Sequence, residues 1–428
     1  MKTQVRKSGV LAITLAILVL IQGTILTAAG SSLAGCLWSK PGLPPILQGD
    51  PVRIGVPLPL TGSKAVFGET KRNAYEMAVQ EINATGGVDG RPLLLLFRDT
   101  AGEPDSAAAA AEELVVVDKV AILAGEYSST CALAVAAVAQ AHGTPYLVDS
   151  AASDNITQQK WQYVFRLNPP AGLYARGLTS FLAEVVKPSS MAIVYEHSDF
   201  GLSVARAMRD WCRSRGVGLP VYAGYEPGHL DFTPTLSAIK EADPDVVYMV
   251  SYLMDATLLI RQARAGGLAP ELFAGGASGF VLPEFIAGAA EAAENVVTAA
   301  LWATTLGFPG LSEFAETYKA RYGDYPSYHA AASYACVYVL SDVLRRAAST
   351  DPERIRASLA ETDLLTVFGP VRFEAFEKYR NQNRTDTIVL QIISGKFEVI
   401  WPPECATAEY VFPDPGGPGE TGTSSGPE

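Results

Sequence analysis

Between Val52 and Phe412 the chain alternates short, unbroken apolar runs with longer stretches in which apolar positions recur at helical spacing. The runs at 52–60 (VRIGVPLPL), 92–99 (PLLLLFRD), 120–125 (VAILAG) and 144–150 (TPYLVDS) do not alternate with polar residues, so they predict strands buried on both faces. Helices fit the intervening stretches at 68–87, 104–118 and 128–143. The first carries Ala74, Tyr75, Ala78 and Ile82 on one face and is stopped by Gly86-Gly87; the second opens on Pro104-Asp105; the third ends at Gly143.

The alternation starts again near Ala192. Strands are predicted at 191–196 (MAIVYE), 219–225 (LPVYAGY), 246–252 (VVYMVSY) and 271–278 (ELFAGGAS), with helical stretches at 202–216, 231–244 and 254–267 between them. Two rounds of βα units predict an α/β protein of two Rossmann-like lobes, each a parallel sheet flanked by helices. Ligands of open α/β sheets bind beyond the carboxyl ends of the strands, so two such edges facing each other make a cleft.

The ends differ in character. Lys2, Arg6 and Lys7 precede an uncharged, mostly apolar run at 8–29, which reads as an export signal within residues 1–36 or, alternatively, as a membrane-spanning anchor. Residues 37–51, rich in Pro and Gly, suit a tether, and 413–428 (PDPGGPGETGTSSGPE) predicts a disordered tail. A formal charge of −12 without any basic run excludes nucleic acid as a partner, because phosphate contacts need clustered Lys and Arg. Five cysteines without a C-x-x-C pair and four scattered histidines provide no metal site and call for no cofactor; they leave disulfide pairing open.

Ser128, Ser129 and Thr130 would open a helix directly after the strand at 120–125. Free backbone N–H groups and hydroxyls would converge there, either as a seat for a carboxylate or simply as an N-cap. A nucleophilic role for Ser128, Ser129 or Cys131 needs a nearby base, yet no histidine motif supplies one and the stretch is not a G-x-S-x-G elbow. Cys131, among alanines, would be an inert thiol. The chain is therefore read as a binding protein, not an enzyme, with a hydrolase as the remote alternative.

Leu33-Ala34-Gly35-Cys36 (LAGC) resembles the lipobox of bacterial lipoproteins, which implies acylation of Cys36. From about residue 52 to 405 the order and spacing of VPLPLTGSKAVFGETKRNAYEMAVQEINATGGVDGRPL, AGEYSSTCALAVA, SAASDNIT, VFRLNP, AIVYEHSDFG, DPDVVYMVSY, LIRQARAGGL and FGPVRFE resemble the type I periplasmic binding proteins, specifically the leucine/isoleucine/valine-binding receptors of ABC importers. The resemblance implies three crossovers, near 166–170, 299–304 and 368–373, which would give lobes of 52–168 plus 300–368 and 169–299 plus 369–412.

It also implies a site. Ser128, Ser129 and the Ser153 hydroxyl would hold the carboxylate or carbonyl end of a ligand, and the Ala151 carbonyl would also be given to it, although Ser153 could equally cap a helix at Asp154. Phe67, Phe200 and Tyr252 would enclose the rest, and His329, beside Tyr328, falls near another pocket position. Where amino-acid receptors carry a glutamate for the ligand ammonium, this chain has Ala277 followed by Ser278. The ligand then either lacks that ammonium or meets another acid, for which Glu126, Asp149 and Asp255 are the candidates. The function implied is a lipid-anchored, extracytoplasmic solute-binding protein that delivers a small amino acid, amide or carboxylate to an ABC permease. The alternative is a sensing module that acts with a separate signalling partner.

Overall fold

Strand β1 (Val52–Leu58) is buried at six of its seven positions, as its unbroken apolar run requires. In the computed structural model, which describes residues 47–276 and 278–411, β1 lies between β2 (Leu93–Asp99) and β3 (Ile122–Gly125), parallel to both. Next come β4 (Tyr146–Val148) and β5 (Val164–Arg166), also parallel, so the first sheet runs 2-1-3-4-5. The second sheet repeats this winding. Strands β6 (Ser190–Glu196), β7 (Gly218–Tyr225), β8 (Val246–Val250), β9 (Leu272–Gly275) and β10 (Val297–Ala300) run in the order 7-6-8-9-10. Both sheets therefore reverse their strand order beside their first strand, and that is where the carboxyl ends open a crevice.

The connecting helices follow the predicted periods, with local differences at their ends. Helix α1 (Ala65–Ala84) starts three residues earlier than the glycine-led stretch suggested. Helix α2 (Pro104–Glu112) widens into a π-helical turn over Glu113–Val117 before it meets β3. Helix α3 (Ser129–His142) ends on Gly143 at φ 64°, a conformation that glycine adopts without a Cβ penalty.

The chain leaves the first sheet after β5 and enters the second at β6, then leaves the second after β10. The long helix Tyr328–Ala347 packs back along α1. The hairpin β11 (Asp363–Thr366) and β12 (Gly369–Arg372) forms a separate two-stranded ribbon. The third crossing is not at 368–373. Strands β13 (Glu374–Phe376) and β14 (Tyr379–Gln382) extend the first sheet beyond β5, and the chain passes over only between Gln382 and β15 (Ile388–Ile393), which pairs antiparallel with β10. With β16 (Lys396–Trp401) beside β15, the second lobe takes its last segment from about residue 388, not 369. The physical reason is a buried polar lock. Gln382 accepts from Arg166 Nε at 2.7 Å and donates to the Asn168 carbonyl at 2.7 Å, which pins β14 to β5.

A second lock explains a lysine inside α1. Lys71 is fully buried and ion-paired with Asp149 at the end of β4, and it donates to Ser150 Oγ at 2.7 Å. The other Asp149 oxygen accepts from Tyr75 at 2.8 Å and from Ser333 at 2.7 Å. The pair thus joins α1, β4 and the helix Tyr328–Ala347 at the base of the first-lobe loops.

Of the residues assigned to a tether, 48–50 lie on the body: Gln48 donates to the Gly90 carbonyl at 2.6 Å, and Arg91 Nε donates to the Asp50 carbonyl at 2.8 Å. Residues 1–46, with Cys36 and the leader, and the tail from 412 lie outside the described residues. Among the described residues no helix is long and apolar enough to cross a membrane.

Candidate functional site

Ser128, Ser129, Ala151 and Ser153 lie just beyond the carboxyl ends of β3 and β4, whereas Phe67 lies in the first turn of α1 and His329 in the helix Tyr328–Ala347. Ser128 caps α3, its Oγ accepting from the Cys131 N–H at 3.3 Å, and Ser129 Oγ accepts from the Ser153 N–H at 3.0 Å. Each hydroxyl thus accepts one bond and keeps its own proton to donate. The loop after β4 is fixed from below by Arg166, which donates to the Ala151 carbonyl at 3.3 Å and the Ser153 carbonyl at 2.6 Å. Ser153 is held by protein groups on both sides. Its Oγ receives the Asn155 N–H at 3.3 Å, and across the cleft it meets Ser203 Oγ at 3.3 Å.

Glu126 holds the loop that leads into α3. It adopts φ 50°, a conformation disfavoured for a side-chain-bearing residue, and its carboxylate takes up Thr100 Oγ1 at 2.6 Å and the N–H groups of Tyr127 and Ser128. Burial pushes its carboxyl above the usual range, and those hydrogen bonds pull it back. Glu126 and Asp149 are therefore occupied by their own surroundings, and neither is free to replace a missing ligand-binding acid.

The second-lobe residues sit at the matching edge. Ser198 caps the helix Asp199–Arg215 through the Gly201 N–H at 3.1 Å, which sets Phe200 in the first turn. A Cβ at Gly201 would collide with the Glu196 carbonyl, so glycine lets this turn press against the end of β6. Tyr252 directly precedes the helix Leu253–Ala265. Ser278 follows β9 at φ 52°, whereas Ala277 lies outside the described residues.

The lobes meet through a residue the sequence analysis passed over. Tyr127 stacks on Phe67 with ring centroids 3.9 Å apart, lies 5.4 Å from Tyr252, and shares a 2.7 Å hydrogen bond with Ser278 Oγ of the other lobe. Tyr252 in turn lies 6.4 Å from Phe67 and 5.5 Å from Phe200, so all three anticipated aromatics join one cluster. The signal was present in the sequence, since Tyr127 stands inside the same AGEYSST loop as the serines.

His329 closes this cluster from the hinge side. Its ring packs edge-on to Phe67 at 5.1 Å and to Tyr127 at 5.2 Å, and against Tyr328 at 3.8 Å. Burial, then Lys71, hold its imidazole neutral, well below its ordinary pKa. Cys131 is fully buried and its thiol is pushed up to about 12 by that burial, which leaves it unreactive.

A further acid stands on the second-lobe edge. Glu196, the last residue of β6, is buried, and its carboxyl is raised to about 7, first by desolvation and then by Asp255. Asp255 is raised by burial as well, while it accepts the Gly228 N–H at 3.2 Å. A glutamate that closes the run MAIVY at the carboxyl end of a predicted strand was the sequence clue.

Residues 51–396 match the model of the periplasmic binding protein family. The chain belongs to that family. Within it, the type I, branched-chain amino acid receptors are its relatives. A Leu/Ile/Val-binding protein homolog of Brucella melitensis is 29% identical over 376 residues, covering 85% of this chain and 94% of the relative. Among solved structures, the substrate-binding protein LivJ of Streptococcus pneumoniae, in complex with isoleucine, superposes with a TM-score of 0.75 at 25% identity, over 85% of this chain and all of that one. The leucine-binding protein LivK of Thermotoga maritima gives a TM-score of 0.76 at 24% identity, over 81% and 97% of the two chains. Periplasmic binding proteins are solute-binding, extracytoplasmic proteins rather than enzymes, and they work with ABC transporters. The two-lobed fold and cleft described above are those of a periplasmic binding protein of this type.

Proposed function

We propose that this chain is a lipid-anchored solute-binding protein that captures a small amino acid, or a related carboxylate or amide, between its lobes and hands it to the membrane subunits of an ABC importer. The observation that carries the reading is the convergence of the two strand edges: donors on one lobe, an aromatic wall from both, and direct contact across the cleft from Tyr127 to Ser278. In this reading the Ser128 and Ser129 hydroxyls donate to the ligand's carboxylate or carbonyl oxygen, helped by the N-terminus of α3. The Ser153 hydroxyl completes that end, the second lone pair of the Ala151 carbonyl accepts from a donor group of the ligand, and Phe67, Phe200, Tyr252 and Tyr127 enclose the remainder. Ser278, next to Ala277, lines the cleft from the other lobe.

A ligand that touches both lobes stabilises their closed arrangement, and hinge closure is the signal a permease reads. Cys36 carries the acyl chains that keep the protein at the membrane surface. The name of the Brucella relative and the isoleucine bound to LivJ favour aliphatic amino acids among possible solutes. A thermal-shift screen of the purified chain against amino acids, amides and small carboxylates tests the reading: at least one class should raise Tm in proportion to the logarithm of its concentration. Uniform indifference to all three would refute it. Intact mass of membrane-extracted protein checks the anchor, because a chain that begins at Met1 without added acyl mass is incompatible with it.

A further inference from the structure

Away from the cleft, where Glu196 Oε1 has no hydrogen-bond partner, the first lobe holds a second carboxylate that is only half used. A cavity of about 370 Å³ lies between the end of α1, the start of the helix Leu311–Tyr322, the helix Tyr328–Ala347 and strand β11 with its turn. Glu81 of α1 lines it. Tyr334 and Tyr338 both donate to Glu81 Oε2, the latter at 3.0 Å, while Oε1 has no partner among the described residues. The Tyr334 ring stands 4.9 Å from Tyr338 and 4.4 Å from Phe314, so three rings form one aromatic wall. Leu364, Leu365 and Val367 add aliphatic surface, and Leu365 is left 55% exposed. No Lys, Arg or His lines the cavity. Glu313 does, but in the first turn of its helix its charge is offset against the helix dipole. The charge of Glu81 is therefore one that nothing basic in the lining balances.

We propose that this cavity is a second ligand site, separate from the cleft between the lobes, and that it takes a small methylated ammonium, tertiary or quaternary. Its volume lies in the range of small-molecule sites, about 300–1,000 Å³. Aromatic faces attract a cation through their quadrupole, and the Glu81 carboxylate adds direct charge attraction. An anion would be repelled by Glu81, and a neutral apolar molecule would cover Oε1 without pairing it. A primary ammonium carries three N–H donors, more than one free carboxylate oxygen can accept. A methylated nitrogen has one donor or none, and its methyl groups are covered by the rings and by the leucines of β11. The site is independent of the cleft solute, because none of its lining residues belongs to the cleft.

The test is calorimetric titration of the purified full-length chain with choline and with its uncharged isostere, 3,3-dimethylbutan-1-ol. Wild type is expected to bind choline at least about 10-fold more tightly than the isostere, and Glu81→Gln to lower choline affinity by about 10-fold, as expected when the rings remain and the charge is lost. The glutamine keeps an acceptor for the two tyrosines, so the fold should survive. If circular dichroism shows that it does not, Tyr338→Leu carries the test, because it removes a ring from the wall and leaves Glu81 in place; it should lower choline affinity by about 5-fold. A wild type that does not bind choline, or binds the isostere equally well, overturns the proposal. Full choline affinity in Glu81→Gln, or in Tyr338→Leu in that case, overturns it too. So does choline binding that is abolished by Glu196→Gln, which would place the cation in the cleft.

Discussion

Replacing Glu196 by Gln should change how the unliganded protein's stability responds to pH. A carboxyl raised from 4.5 to about 7 by burial keeps its proton in the folded state over a range in which the unfolded chain has already released it. Folding is then favoured below the unfolded value, and that contribution is lost as pH rises through the folded value, because the unfolded state binds fewer protons. The loss between about pH 4.5 and 7 corresponds to about 3 kcal/mol for Glu196. Asp255, also raised by burial, acts in the same direction, while Lys64 opposes both. For a chain of this size 3 kcal/mol is roughly 4 °C in Tm. Calorimetric scans of wild type and Glu196→Gln between pH 5 and 8 should show a wild-type Tm that falls with pH by about that much more than the variant's. Parallel curves for the two proteins would refute the reasoning, since they would mean that Glu196 titrates alike in the folded and unfolded states.

Two other perturbations follow from the geometry. Ser129→Ala removes a hydroxyl whose proton is free for a ligand anion and should weaken binding by roughly 10- to 100-fold, whereas Cys131→Ala, one turn into the same helix, should leave affinity within about threefold; equal titrations for both variants and wild type would remove the carboxylate seat. Lys71→Ala strips the partner from the buried Asp149 and should lower stability by about 3–5 kcal/mol in denaturant titration, while the double variant Lys71→Met/Asp149→Leu should recover much of that loss; a single variant as stable as wild type would show that the pair is not desolvated.

The strand and helix order could be read from the sequence because each strand is an unbroken apolar run and each helix is bounded by glycine or proline. That signal is local, and from β1 through β9 it misses only β5, whose three residues form no apolar run of their own. It weakens at 369–382, where β12, β13 and β14 are short and alternate exposed with buried positions. Their sheet is chosen by Gln382 meeting Arg166, a contact more than 200 residues apart in sequence, which no local pattern encodes. The resemblance therefore set the third crossover too early, while the sheet membership of the earlier strands follows from their order.

The candidate site divides in the same way. Ser128 at the start of α3, and aromatics in the first turns of helices or just ahead of one, were visible as residue types at predictable edges. Which acids are free was not. Glu126, Asp149 and Asp255 looked equivalent as loop carboxylates, but folding gives the first to Thr100 and its own loop, the second to Lys71, Tyr75 and Ser333, and the third a place beside Glu196. Tyr127 was hidden for a related reason: its importance lies in a hydroxyl contact with Ser278, 151 residues away.

By itself the sequence determined two rounds of βα units, the loops at their strand ends, and the absence of an acid at position 277, because hydrophobic period and residue identity are local properties of a chain. Only the tertiary structure decided where the chain crosses between lobes for the third time, which carboxylates are spent on holding loops, and which one is left with an oxygen unpaired. Those outcomes depend on what lies opposite each side chain once it is removed from water, and that is fixed by the packing of residues far apart in sequence.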